Sequence, residues 1–277
     1  MSRQYHCLVS SLPELVFEAD SKNFDLKNFK DLVLEEVSIN DAELVHGLFY
    51  AADNENLLSL LYSDEKEWNP YGKYTRDELE DILRDAESGS KNLPQYLREF
   101  FEQLNRLETE QRQRIERSVA EKLLSESMYS HHESCSNKYI SSIFKIDREI
   151  RNIRAAYAGR KAGISPEKFF VGNDEINDAL LKNNASDFGL TREKDYAAEL
   201  FRALDTSDLQ ERERKLDLFT WSLIDEINTF EYFSIDAILG FLQKAAIIAR
   251  WSKLDKATGN EMFKRMIKDL QGIDNKE

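Results

Sequence analysis

A chain of 277 residues with only 10 glycines and 4 prolines has few places to turn. Tight turns draw on Gly for left-handed backbone and on Pro for a fixed φ. A sheet protein reverses direction every few residues, so this scarcity favours long helices joined by few loops. Hydrophobic residues make up 41% of the chain, enough for a buried core, and charged residues make up 32%, which suits extended solvated helix faces. The length fits one elongated helical domain or two to three smaller ones.

The formal net charge is −14. Such a chain repels phosphate backbones and anionic head groups, so nucleic acid and bare membrane surfaces are poor partners. A basic protein surface is attracted to it. Two cysteines, Cys7 and Cys135, make no disulfide framework and fit a reducing compartment. Met1 to Leu15 lacks the sustained apolar core of a signal peptide. The most apolar stretch, Ile235 to Trp251, carries Asp236, Gln243, Lys244 and Arg250, and reads as a buried helix rather than a membrane span.

Along the chain, Tyr5 to Val9 is too short for periodicity to separate a brief strand from a first helical turn. A helix is expected from Leu26 to Val37. Another is expected to start near Asn40, with Glu43 closing a capping box and a break near Asp53-Asn54. Asn69-Pro70-Tyr71-Gly72 is a turn signal, and Thr75 with Glu78 forms a second capping box. From Pro94 to about Tyr129 the pattern is helical throughout, with a charged middle from Asn105 to Ser118. Ser130 to Asn137 is polar and reads as a turn or frayed join. Helix resumes from Lys138 to Ala162 and stops at Gly163, and Ser165-Pro166 opens the next one. Leu209, Leu216, Phe219, Leu223, Ile227 and Phe230 form one amphipathic stripe. Ser234 caps a central apolar helix, and a last helix is expected from Gly259 to Leu270. Boundaries fall near residues 63–74, 130–137 and 184–190. Asp53-Asn54-Glu55-Asn56-Leu57-Leu58 and Asp147-Arg148-Glu149-Ile150-Arg151-Asn152-Ile153 are weakly alike, each placing an acidic/Asn cluster beside aliphatic residues.

Few constellations carry chemistry. His131-His132-Glu133-Ser134-Cys135 holds three ligand types, and His131 and Cys135 would share a helix face, but a four-coordinate metal needs further convergent ligands. A polar turn or a solvated helix end is the simpler reading. Gly159-Arg160-Lys161-Ala162-Gly163 lacks P-loop spacing and suits a helix C-terminus, where basic residues complement the dipole. Arg148, Arg151 and Arg154 recur every three residues. They read either as a docking strip for an acidic partner or as partners of the chain's own carboxylates. Trp68, Trp221 and Trp251 read as packing residues. No catalytic motif is present, so neither enzyme activity nor a cofactor is expected, and no metal site is assigned.

Three stretches taken together carry a resemblance: Tyr5-His6-Cys7-Leu8-Val9-Ser10-Ser11-Leu12-Pro13-Glu14-Leu15, Asp53-Asn54-Glu55-Asn56-Leu57-Leu58, and Ile248-Ala249-Arg250-Trp251-Ser252-Lys253-Leu254-Asp255 followed by Gly259. The set resembles a bacterial family encoded beside components of the V/A-type ATPase. That family in turn looks like the funnel-shaped C subunit of that ATPase, which sits on the rotor ring and holds the foot of the central axle. The segment Glu149 to Arg154, followed by Gly159 to Glu167, is similar to the helix–turn–helix that recurs in this rotor part. The resemblance implies an all-α, elongated multi-helix protein of two to three similar subdomains. These would be residues 1–90, residues 91–185 with the long charged helix, and residues 186–277. It implies a non-catalytic part joining the central stalk to the proteolipid ring, cytoplasmic and held at the inner membrane through the ATPase complex, without inserting in the membrane. The alternative is a cytosolic helical adaptor or assembly factor for that complex. Arg148, Arg151, Arg154, Arg160 and Lys161 are the residues expected to meet a partner.

Overall fold

The computed structural model describes residues 4–17, 25–64, 66–88 and 93–253. Among them the fold is all-α, with twelve helices and no strand. In chain order these are α1 (His6–Ser11), α2 (Leu26–Glu36), α3 (Ile39–Gly47), α4 (Tyr50–Tyr62), α5 (Arg76–Ser88) and α6 (Gln95–Gln111). They continue as α7 (Arg117–Glu133), α8 (Lys138–Ala162), α9 (Glu175–Lys182), α10 (Ala197–Leu204), α11 (Leu209–Ile227) and α12 (Ile235–Lys253). None is long and apolar enough to cross a membrane. The expected helix from Gly259 to Leu270 lies outside the described residues.

Contacts divide the chain into two units, one of them discontinuous. The first joins residues 1–37 to residues 230–277, and the second runs from Ser38 to Thr229. These units cut across the three consecutive segments expected from the sequence. In the first unit, α2 packs on α12. Leu26, Lys30 and Val33 turn inward from α2, and Phe29 meets Phe241 edge-on with ring centroids 5.6 Å apart. Tyr5 to Val9 resolves as the start of α1, anchored by the Tyr5 amide donating to the Phe233 carbonyl.

The second unit is organised around α8. Its start is capped by the Asn137 side chain, and its end falls at Gly163, whose φ of 68° is the left-handed conformation that closes a helix. Ile153 and Ala156 on α8 join Phe170, Leu180, Phe188, Leu200, Phe201, Leu216, Phe219 and Leu223 in one apolar core. The stripe on α11 is buried only in its middle, since Leu209 and Phe230 are exposed. Ser165-Pro166 opens no full helix, only a single 3-10 turn at Glu167–Phe169.

Three further expectations are corrected. The capping box at the start of α3 is Ser38 with Asp41, two residues ahead of the expected Asn40 and Glu43: the Ser38 hydroxyl accepts from the Asp41 amide and donates to its carboxylate. Asp53-Asn54 is no break, because α4 runs straight through it with both side chains buried. The long charged helix is two helices. It stops after Gln111, where Arg112 takes φ 53°, and α7 returns alongside α6. Tertiary bonds hold this reversal. Ile115 is buried, its amide donates to Glu108 and its carbonyl accepts from the Tyr62 hydroxyl, while Arg114 donates to the Leu61 carbonyl. Left-handed backbone costs an L-residue about 1–2 kcal/mol. Arg112→Gly is therefore expected to raise stability by roughly 0.5–1 kcal/mol in chemical denaturation, and Arg112→Val to lower it by about as much.

Candidate functional site

Two helices of the second unit carry the same device. On α4, the Asn56 side chain donates to the Asn69 carbonyl (2.9 Å) and accepts from the Asn69 amide (2.8 Å). On α8, the Asn152 side chain donates to the Val171 carbonyl (2.9 Å) and accepts from the Val171 amide (2.9 Å). A primary amide thus pairs with a loop residue as a neighbouring strand would, and satisfies both of its backbone groups. Three residues earlier stands a buried acid in each case. Asp53 accepts the amides of Lys73 (2.9 Å) and Tyr74 (3.1 Å), and Glu149 accepts from Lys194 (2.8 Å) and the Tyr196 hydroxyl. Residues three apart share a helix face, so acid and amide reach the same side. Gly72 is required here, since a Cβ on it would stand 2.3 Å from the Asp53 carboxylate.

Each latched loop leads into a capped helix. Thr75 and Glu78 form the expected capping box on α5, and those bonds hold the Glu78 carboxyl below its usual range. Asp174 caps α9 by accepting from the Asn177 amide, and Asn177 in turn accepts from Asn152 and donates to the Gly172 carbonyl. The roles of Asn56, Asn152, Asp174 and Asn177 are not among those expected from the sequence. The first two lie inside the two stretches noted as alike, and the signal that marks them is an acid followed three residues later by Asn.

The five expected partner-binding residues separate. Arg148 does not face solvent. Its side chain is 9% exposed and fixed between Glu133, through two bonds of 2.5 and 3.1 Å, and Asp174 at 2.6 Å. Arg160 is tied to its own unit, donating to the carbonyls of Ala185 and Asn183 while its guanidinium lies 3.7 Å from the Phe188 ring. Arg151, Arg154 and Lys161 stay on the solvent side of α8. Arg154 pairs with Glu213 at 3.1 Å, and Lys161 lies over the Tyr157 ring.

His131 to Cys135 do not converge on a point. Among the described residues no group of three or more His, Cys, Asp or Glu is placed to hold a metal ion. Helix α7 ends at Glu133, which leaves Cys135 in the following turn, and Glu133 is spent on Arg148. His132 is buried, stacked on Phe144 (3.8 Å), with Nδ1 at 2.7 Å from the Met128 carbonyl and Nε2 at 3.0 Å from the Gly47 carbonyl. The imidazolium would satisfy both carbonyls, but desolvation outweighs them and pushes the pKa down to about 4. Tyr50 stacks on Tyr96 beside it, and Tyr50, Tyr74, Lys73 and Glu43 line an open depression of about 510 Å³. Trp68 is covered by Arg76, and Trp251 meets Phe17. Trp221 sits half-buried on α11.

The fold and these latches define an all-α protein of paired helices and pinned loops. Its residues 1–273 match the model of a protein family of unknown function, DUF2764, and the chain belongs to that family. No curated protein matches it.

The latches and the buried histidine each make a measurable difference to stability. Replacing Asn152 with Leu orphans both backbone groups of Val171, and replacing Asn56 with Leu does the same to Asn69. Each is expected to cost roughly 2–4 kcal/mol in urea unfolding, with the Asn152 change the larger because that amide is fully buried and also bonds Asn177. The His132 pKa is depressed on folding, so the unfolded chain binds the proton first and stability is lost as pH falls from about 6.5 towards 4. Burial lowers His131 in the same sense. Between pH 7 and pH 5 the His132 share is about 2 kcal/mol, and His132→Gln is expected to flatten the measured pH dependence by that amount.

Proposed function

We propose that this chain is a non-catalytic, C-subunit-like component of a V/A-type rotary ATPase, coupling the central stalk to the membrane rotor ring. The observation that carries the reading is the twice-used latch. A helix, a loop pinned by a helix Asn, and a capped following helix occur once from α4 to α5 and again from α8 to α9. Both copies fall on stretches that carry the resemblance to the ATPase-associated family and to its funnel-shaped rotor part, which is built from similar helical subdomains. Rigidity suits the role. A part that transmits torque must resist bending, and loops bonded to helix side chains at both backbone groups of one residue retain little freedom. No helix of the described residues can cross a membrane, so the proposed seat on the ring is through protein contacts, with the cytoplasm as the compartment.

The second reading is a helical adaptor or assembly factor for the same complex, and the charged segment from Asn105 to Ser118 favours it. That segment forms the tip of the α6–α7 hairpin, where Glu110, Gln111, Arg112, Gln113 and Arg114 are exposed. A charged hairpin tip suits a transient grip.

Affinity purification of the ATPase through a tag on its catalytic head, followed by quantitative mass spectrometry, separates the two. The rotor reading expects this chain at the level of the single-copy stalk components. Recovery only from partly assembled complexes would favour the assembly factor, and absence from all of them would end both readings.

A further inference from the structure

The outward face of α8 gathers positive charge over two apolar grooves, on a chain whose net charge is −14. One groove, of about 610 Å³, has Ala155, Ala158, Gly159 and Ala162 as its floor. At its edge Ile164 and Phe169 stand 52% and 48% exposed, adding two large apolar side chains to the apolar lining instead of being scattered singly. Lys122, Arg151 and Lys168 rim it. The other groove, of about 420 Å³, runs along the opposite side of the same ridge and shares Ala158 and Ala162, with Arg154, Lys161 and Arg212 at its margin. Among the described residues two carboxylates line the pair, Glu121 and Glu213. Glu213 pairs with Arg154, and Lys122 has Glu126 at 4.0 Å. That leaves Arg151, Lys161, Lys168 and Arg212 without a carboxylate in the lining.

We propose that this face docks an acidic amphipathic helix of a partner protein. Small side chains on the floor let a second helix axis come close, and ridge-into-groove packing needs such a floor. The apolar stripe of the incoming helix covers Ile164 and Phe169, while Glu or Asp on its two shoulders meet the cations on either side. Charge argues against the chain's own carboxy-terminal segment as the occupant, since residues 254–277 carry five basic and five acidic side chains. It argues equally against a long polyanion or a lipid surface, which would meet the acidic remainder of the molecule beyond the patch. A short acidic helix does not extend that far. This inference stands on charge and shape and does not depend on the rotary-ATPase reading.

The test uses the full chain and two fluorescent peptides of about 18 residues, long enough for five helical turns. They share one apolar face and carry either Glu or Lys on its flanks. In fluorescence anisotropy the Glu peptide is expected to bind saturably and to weaken with salt. Arg151→Glu combined with Lys168→Glu is expected to weaken it by about tenfold or more, with the Lys peptide gaining. Ala158→Trp, which fills both grooves, should abolish binding of either. Circular dichroism checks that the variants fold. Independently of any variant, hydrogen exchange on the unaltered chain should show protection over residues 151–169 when the Glu peptide is present. Failure of the Glu peptide to saturate, indifference to the substitutions, or protection elsewhere would overturn the proposal. So would phosphatidylserine vesicles or poly(U) binding with the same sensitivity to Arg151 and Lys168, which would assign the face to another class of ligand.

Discussion

The second unit depends on one buried side chain more than on any other, the amide of Asn152. Through it α8 holds Val171, and Val171 fixes what lies next to it. Gly172 donates its amide to Glu126 on α7, and Asp174 reaches Arg148 while capping α9. Arg148 then returns to Glu133, also on α7. Three helices are thus joined by a closed circuit of polar bonds, buried at Asn152, Val171 and Arg148 and open to solvent at Gly172, Glu126, Glu133 and Asp174. Such a circuit specifies one arrangement, because breaking it at Asn152 or Arg148 would strand a buried polar group. The apolar core of Phe170, Leu200 and Phe219 supplies the driving force for burial but tolerates many packings. The Asn152 circuit selects among them.

Signals that act locally are legible in the sequence. The bounds of α8, the stop at Gly163 and the Thr75–Glu78 box depend on residues within one turn of each other, and the structure places them where their chemistry does. What stays hidden is decided at a distance. Asp53 and Asn54 look like a break because polar residues on a core face have no place without partners. Their partners are the amides of Lys73 and Tyr74, and the Tyr96 hydroxyl. The reversal at Arg112 is hidden for the same reason: both arms have good helix propensity, and the bend is held by Tyr62 and Leu61, some fifty residues back.

The arginines of α8 show how far spacing can mislead. Steps of three residues turn about 300°, so Arg148, Arg151 and Arg154 fan across roughly 120° of the helix instead of forming a line. That angle puts Arg148 in the polar circuit and leaves Arg151 and Arg154 outside. The plain reading, pairing with the chain's own carboxylates, holds for Arg148 and for Arg154 with Glu213. Arg160 belongs to neither group, because two loop carbonyls and the Phe188 ring absorb it.

The discontinuous first unit has a consequence for biosynthesis. Helix α2 leaves the ribosome early, yet the surface it packs on, α12, is translated only after all of Ser38–Thr229. While the chain grows, Leu26, Phe29 and Val33 face solvent without their counterpart, and the second unit can condense before them. The amino-terminal segment therefore waits for the carboxy-terminal one, and a nascent chain released short of α12 would expose a sticky helix for chaperones or proteases to recognise.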